Sequence, residues 1–324
     1  MHSVFVFDIG ATKIATAVMD YEGNFLEPVR ILQPTPQDPG GAVRYFHETL
    51  EHSLNDLNIK AISGGAPALE AGGNGHFMAN PSNLPHWGGI SLKGKLENIV
   101  LSIIRSNGGR YPRIIIESDA YMAAIGATLE KIAEKELEDA IFPLLYVTIS
   151  TGFGAETSVK SAKGFEIYLN PNGKNREAGH HSFNGRAPNL ASISCGHCKE
   201  PNCVETWISG KHFKARYGVE PWESDYIVQD LVADNTAKAL SEMNFEHEPR
   251  LIVLGGGISN NWGTKFLDMV TDHVKYRFKI IGRAIPEVES SVLGSNVNLV
   301  GAWALERKLY KGSWPKTDLR NYSI

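Results

Sequence analysis

Short apolar runs bounded by glycines and polar turns alternate along this chain with longer stretches whose apolar residues repeat at helical spacing. Val4–Phe7, Ile14–Met19 and Phe25–Leu32 read as three strands of a meander, separated by the turns Gly10-Ala11-Thr12-Lys13 and Asp20-Tyr21-Glu22-Gly23-Asn24. Helical spacing then predicts a helix over Ala42–Asp56, a short strand Ile59–Ile62, a helix Leu92–Arg105 and a strand Ile114–Ile116. Further on, the pattern predicts helices Ala120–Leu137, Val204–Tyr217, Ile227–Met243, Lys265–Tyr276 and Leu299–Tyr310. Strands are expected at Leu144–Ile149, its hairpin partner Ala155–Val159, and Leu251–Leu254. The stretch from Ser161 to Cys203 has no period and reads as irregular. The alternation indicates an α/β protein. We expect a first lobe over 1–117, completed by the C-terminal segment 299–324, and a second over 118–298.

Length and composition agree with two lobes, since 324 residues with 42% hydrophobic side chains can fill two cores. The net charge of -4, with 32 basic residues that form no dense run, argues against nucleic acid as the main ligand. The N-terminus runs from Val4-Phe5-Val6-Phe7 straight into Asp8 and lacks the basic start of a signal peptide. No apolar stretch approaches the roughly 18 to 20 residues that span a bilayer. Three cysteines at metal-like spacing fit a reducing compartment better than a disulfide framework, so the expected location is cytoplasmic.

Those three cysteines, Cys195, Cys198 and Cys203, fall together in a loop rich in Gly, His, Lys, Pro and Asn, which has no apolar core to hide them in. With His180 they make a complete tetrahedral zinc set of three thiolates and one imidazole. The blander alternative is a chance cluster of reduced thiols. Glu177 and Glu205 flank the ligands, so a metal pinning this loop would also pin two carboxylates. His181 would point away from a ligand, and His197 could replace one, although four positions are already filled.

Three glycine turns each follow an expected strand: Asp8-Ile9-Gly10-Ala11-Thr12-Lys13, Ser150-Thr151-Gly152-Phe153-Gly154 and Leu254-Gly255-Gly256-Gly257. Glycines let backbone amides surround phosphate oxygens, and Thr and Lys add a hydroxyl and a cation. A single such turn carries little weight, but three in one chain are hard to dismiss. Neither the Walker A loop nor the dinucleotide fingerprint is present.

Taken together, these turns resemble the actin/hexokinase/heat-shock-protein ATPase superfamily. Asn83-Leu84-Pro85-His86-Trp87, Glu117-Ser118-Asp119-Ala120, Glu177-Ala178-Gly179-His180 and the run from Cys195 to Glu205 are similar to the ROK family of sugar kinases and sugar-responsive repressors. The resemblance implies a two-lobed actin-like (ribonuclease H-like) fold with an interlobe cleft and a zinc-stapled loop. It implies a first phosphate loop of Asp8, Gly10, Ala11, Thr12 and Lys13, with Asp8 holding Mg2+. A second phosphate loop would be made of Thr151, Gly152 and Gly154, and Gly255, Gly256 and Gly257 would contact adenosine. Asp119 would be the catalytic base, and Asn83, Ser118, Glu177, His180 and Glu205 would meet the sugar. His180, Cys195, Cys198 and Cys203 would hold structural Zn2+.

The implied activity is transfer of the γ-phosphate of ATP to the C6 hydroxyl of a hexose, with glucose first and an N-acetylated hexosamine or another hexose as alternatives. A hexose presents hydroxyls, which carboxylates and amides bind in paired fashion. A catalytically impaired sugar-binding regulator is the rival class. Repressors of the family carry a DNA-binding domain ahead of the first loop, whereas Asp8 here comes almost at once. A homodimer is the expected assembly. The chain departs from the family at Ser118 (usually Asn), Ser150 (usually Gly), His86 (usually Gly) and in the longer Cys-x-x-Cys spacing. For Asp119 the ordinary alternative is a helix cap, and for Trp87, Trp207 and Trp303 it is core packing.

Overall fold

The computed structural model describes residues 2–26, 30–70, 75–81, 83–107, 109–135, 138–171 and 177–316. The glycine-rich stretch at 72–74, the expected helix end at 137 and the tail beyond 316 lie outside them. Two five-stranded sheets form, each in its own compact unit, and the boundary between the units falls within one helix, between Gly126 and Ala127.

In the first unit β1 (Ser3–Ile9) pairs antiparallel with β2 (Lys13–Asp20), and β2 pairs antiparallel with β3 (Ile31–Pro34). On its other side β1 pairs parallel with β4 (Ile59–Ala66), which pairs parallel with β5 (Arg113–Ser118). Central β1 is buried along nearly all its length, which is why it reads as a continuous apolar run. The third strand sits later than the sequence suggests: Phe25 makes only a lone bridge with Met19, residues 27–29 lie outside the described set, and exposed β3 pairs at the edge. Helices α1 (Pro39–Asp56) and α2 (Leu92–Asn107) pack together and close the core with Trp87, Phe46 and Phe77. Asp38 starts α1 by accepting from the Gly40 and Gly41 amides, both at 3.1 Å.

Helix α3 (Asp119–Glu134) carries the boundary between the units. In the second unit β6 (Leu144–Ile149) pairs antiparallel with β7 (Phe153–Ser161), and β7 with β8 (Gly164–Ile167). β6 also pairs parallel with β9 (Leu251–Gly255), and β9 with β10 (Glu287–Ser290). Strands β8 and β10 were not expected. Both are four residues long with at most two apolar residues, too short for alternation to stand out.

The expected helix Val204–Tyr217 is two helices, α4 (Glu205–Ile208) and α5 (Gly210–Tyr217), because Ser209 is extended between them. Helix α6 (Tyr226–Glu242) is capped by Asp225. Helix α7 (Gly257–Ile280) begins eight residues before the expected Lys265 and breaks its geometry at Gly263. The final helix is α8 (Val297–Lys311), which belongs to the first unit and is pinned there by a bond from Ser63 Oγ to Ala302 O at 2.7 Å.

A buried charge network secures the exit of β10. Glu130 accepts from Ser291 Oγ (2.6 Å), Val292 N (3.0 Å) and Leu293 N (3.1 Å), and buried Lys131 pairs with Glu130, Glu134 and Glu289. Each charge keeps several partners, which offsets the cost of burying it. Among the described residues no helix is long and apolar enough to cross a membrane.

Candidate active site

Parallel pairing brings the two aspartates of the first unit together. Asp8, at the end of β1, is in register with Gly65 on β4, and Gly65 with Glu117 on β5. Directly after β5, Asp119 opens α3, and a Cβ on Gly65 would lie 3.1 Å from the Asp119 Cα. The carboxyl ends of parallel strands are where α/β sheets present ligand-binding groups. Burial, and then the Asp119 carboxylate, push Asp8 up to about 7. The Asn298 side chain, through a hydrogen bond, and the Arg30 charge pull it back. Asp8 Oδ1 is sealed from solvent and has no hydrogen-bond partner. A buried, orphaned carboxylate oxygen beside a second carboxylate suits a hard divalent cation such as Mg2+.

The β1–β2 turn is closed by Gly10 N to Lys13 O (2.8 Å) and braced by Thr35, whose Oγ1 donates to Gly10 O (2.7 Å) and whose amide donates to Thr12 O (3.0 Å). Ala11 is half-buried, while Thr12 and Lys13 are exposed at its tip. At the start of α3, Ser118 Oγ accepts from Tyr121 N (3.2 Å), three residues on, and Asp119 Oδ1 accepts from Ala120 N (2.9 Å). Ser118 is therefore the capping residue, and Asp119 is the first residue of the helix. Glu117 is pushed above the usual carboxylate range by burial. Asn83 is half-buried in the turn that leads to Trp87, whose indole donates to Pro36 O at 3.3 Å.

The second unit gathers the remaining candidates. Its β6–β7 turn, Ser150 to Gly154, is closed by Ser150 N to Gly152 O (3.0 Å), with Thr151, Gly152 and Gly154 half-buried. The first amides of α5 hold this turn from behind: Gly210 N donates to Ser150 O (2.8 Å) and Lys211 N to Thr151 O (3.1 Å). Where β9 meets α7, Gly256 has φ +93, and a side chain there would strike Ile149 O at 2.5 Å, so only glycine fits between this turn and β6. Gly255 is buried and Gly257 exposed on either side of it.

The zinc expectation meets a well-formed donor set. One ligand atom from each of His180, Cys195, Cys198 and Cys203 lies within 4.8 Å of the others. His180 Nδ1 is 3.6 Å from Cys195 Sγ. Burial, and then His197 and His181, pull His180 down to about 4, so it is neutral and able to ligate. Burial pushes the Cys198 and Cys203 thiols up, so without a cation they hold their protons. Three sulfurs and one imidazole nitrogen at this spacing suit tetrahedral zinc.

Both flanking carboxylates stay beside this cluster. Glu177 has a left-handed backbone (φ 51) and a side chain that is 53% exposed, with Oε2 3.9 Å from His180 Nε2. Glu205 is buried as the first residue of α4 and accepts from Phe153 N at 3.3 Å, which ties the loop exit to the β6–β7 turn. Gly179 closes the gap, since a Cβ there would sit 2.5 Å from Phe153 O and 3.6 Å from Glu205 Cβ.

Three supporting residues escaped the sequence reading. Arg30 and Asn298 act on Asp8 from far along the chain, and Arg216 is buried beneath the zinc loop. Only a buried-arginine pattern could have flagged Arg216, and one sequence does not display burial.

Two sheets of identical strand order, each with a glycine turn at the end of its first strand, make the fold of the actin and hexokinase superfamily. The ROK family model matches residues 4–308, and the chain belongs to that family. It is 25% identical to the N-acetyl-D-glucosamine kinase of Photobacterium profundum over 280 residues, covering 78% of this chain and 84% of the relative. It is 24% identical to the glucokinase of Streptomyces coelicolor, covering 93% and 96%. The structure of a ROK family glucokinase from Streptomyces griseus in complex with glucose and AMPPNP superposes with a TM-score of 0.68 at 20% identity, covering 94% of this chain and 98% of that one.

Proposed function

We propose that the protein is an ATP-dependent hexose kinase that transfers the γ-phosphate of ATP to the C6 hydroxyl of glucose. The observation that carries this reading is the pair of aspartates at the ends of β1 and β5, either side of β4, one with a sealed, unpartnered oxygen and the other opening a helix. ATP supplies the phosphoryl group, and Mg2+ neutralises its charge when bound.

In this reading Asp119 accepts the proton of the attacking hydroxyl, and Asp8 would hold the cation. Gly10, Ala11, Thr12 and Lys13, with Thr151, Gly152 and Gly154, cradle the phosphates through amides and hydroxyls. Gly255, Gly256 and Gly257 leave room for the adenosine to approach backbone. Asn83, Ser118, Glu177, His180 and Glu205 orient the sugar, and Zn2+ on His180, Cys195, Cys198 and Cys203 keeps the loop that carries Glu205 in shape. A homodimer is part of the proposal, and light scattering checks it.

A second acceptor class, the N-acetylated hexosamines, is favoured by the kinship with N-acetyl-D-glucosamine kinases. The test is ADP release measured with glucose, mannose, N-acetylglucosamine and N-acetylmannosamine in turn. Sugar-dependent turnover with glucose highest supports the first reading, and N-acetylglucosamine highest supports the second. ATP hydrolysis indifferent to every sugar would refute both.

A further inference from the structure

The turn between the first two zinc-loop cysteines, Cys195-Gly196-His197-Cys198, is one residue longer than the usual family pattern, and the structure gives that length a use. The His197 amide donates to Cys195 Sγ at 3.4 Å, which folds the turn back on itself. The His197 ring then lies flat on His180, with centroids 4.2 Å apart and planes at 15°. His180 shows Nδ1 to the sulfurs and Nε2 to Glu177, at 3.6 and 3.9 Å. One polar atom from each of Glu177, His180 and His197 lies within 4.8 Å of the others, forming a second cluster that shares His180 with the thiols. The zinc set is complete without His197.

This cluster joins one carboxylate acceptor to two imidazoles, each able to donate or accept through a ring nitrogen. Such a rim suits a neutral ligand with neighbouring hydroxyl or amide groups, whereas an anionic ligand would meet the Glu177 charge. Glu177 holds a left-handed backbone that non-glycine residues adopt at a cost, a feature concentrated at binding positions.

We propose that His197 is a specificity-determining residue of the sugar site, its imidazole hydrogen-bonding the same hexose whose hydroxyls Glu177 and His180 take. The proposal rests on the sugar reading above, and it selects among hexoses by the polar group each one offers to that imidazole.

The experiment is equilibrium binding by titration calorimetry, without ATP, of glucose, mannose, N-acetylglucosamine and N-acetylmannosamine. It compares the wild type with His197→Phe and His197→Asn, and zinc content and unfolding midpoint are measured on each. Phenylalanine keeps the stack and loses the polar atom, while asparagine does the reverse. A contact role predicts one zinc in all three proteins, about three- to tenfold weaker binding of the preferred sugar in His197→Phe, the worth of one neutral hydrogen bond, and substantial recovery in His197→Asn. It also predicts that the order of the four sugars changes in His197→Phe.

Unchanged affinities in His197→Phe would overturn the proposal. So would the opposite ranking of the two variants, which marks a stacking role, or loss of zinc in either, which marks a ligand. Because binding is read without turnover, a wild type that binds a hexose and fails to phosphorylate it leaves His197 to be judged while refuting the kinase. A wild type that binds none of the four overturns both.

Discussion

Replacing Arg216 with methionine tests how the zinc loop is held when metal is left aside. Arg216 is fully buried in the last turn of α5, its guanidinium 3.7 Å above the Trp207 ring. Nε donates to Thr206 O at 2.8 Å, Nη1 to Asn189 O at 3.2 Å and Ala191 O at 2.7 Å, and Nη2 to Asn202 Oδ1 at 2.8 Å. One side chain thus joins three points of the loop to the residue beside Glu205. Asn202 extends the clamp, since its Oδ1 also accepts from Ile193 N at 3.3 Å and its amide donates to Ile193 O at 3.1 Å. Methionine keeps much of the apolar volume and none of the donors.

Each lost bond to a charged donor is worth about 1.5–3 kcal/mol, but removing the buried charge and letting water reach the loop carbonyls returns much of that. A net loss of about 3–5 kcal/mol follows, a fall in melting temperature on the order of 10 °C. Arg216→Lys should recover little, because a point ammonium cannot span four acceptors. Calorimetry gives the midpoint, hydrogen exchange reads the Ile193 and Asn202 amides, and chelator-driven zinc release should quicken. A midpoint within about 2 °C of wild type with unchanged exchange would refute the clamp.

Asp119→Asn keeps the bond to Ala120 N but cannot take a proton, so sugar-dependent turnover should fall ~10²- to 10⁴-fold while calorimetric sugar binding persists; near-normal turnover would reduce Asp119 to a helix residue. Purified protein should carry one zinc per chain by elemental analysis, and Cys198→Ser should lose it along with most sugar affinity; metal-free wild type prepared without chelator would end that reading. Ser118→Asn preserves a good helix cap and should therefore reorder the sugars by roughly three- to tenfold without moving the KM for ATP; identical kinetic constants for every sugar would mean position 118 serves only the helix. Asp8 rises from 3.8 to about 7 on folding, so without magnesium the folded state binds the extra proton. That contribution is complete below about pH 3.8 and disappears as pH climbs through 7. Urea unfolding without added magnesium should lose stability over this window, by up to about 1.4 kcal/mol per pH unit, and Asp8→Asn should flatten the slope; equal slopes would show that Asp8 ionises freely.

What could be read in the sequence were features fixed within a few residues. A strand-end glycine turn, a cysteine at metal spacing and a carboxylate two residues from it all announce themselves locally, and Gly10, Gly152, Gly256, Cys195 and Glu205 lie where such reasoning puts them. What was lost depended on distant partners. The Ser209-Gly210 pair permits a break in the helix, but what the break serves is distant, since it lets Gly210 and Lys211 direct their amides at a turn sixty residues earlier. The sequence offers Asp119 as the helix cap, and only the bond from Tyr121 N to Ser118 Oγ moves that role one residue back.

The two sheets share one strand order, β3-β2-β1-β4-β5 and β8-β7-β6-β9-β10, with matching parallel and antiparallel pairs. Turns Gly10–Lys13 and Ser150–Gly154 therefore occupy the same place, between the first and second strands of their sheets, and Gly255–Gly257 corresponds to the end of β4. The position after β5 belongs to Asp119, and the position after β10 to Ser291. Asp119 stands beside a second carboxylate with a sealed oxygen, whereas Ser291 is spent on Glu130 at 2.6 Å as part of the buried charge network. Equivalent strand ends thus carry the proposed base in one unit and a brace in the other. The repeated backbone supplies places for chemistry, and the side chain at each end determines whether that place is used.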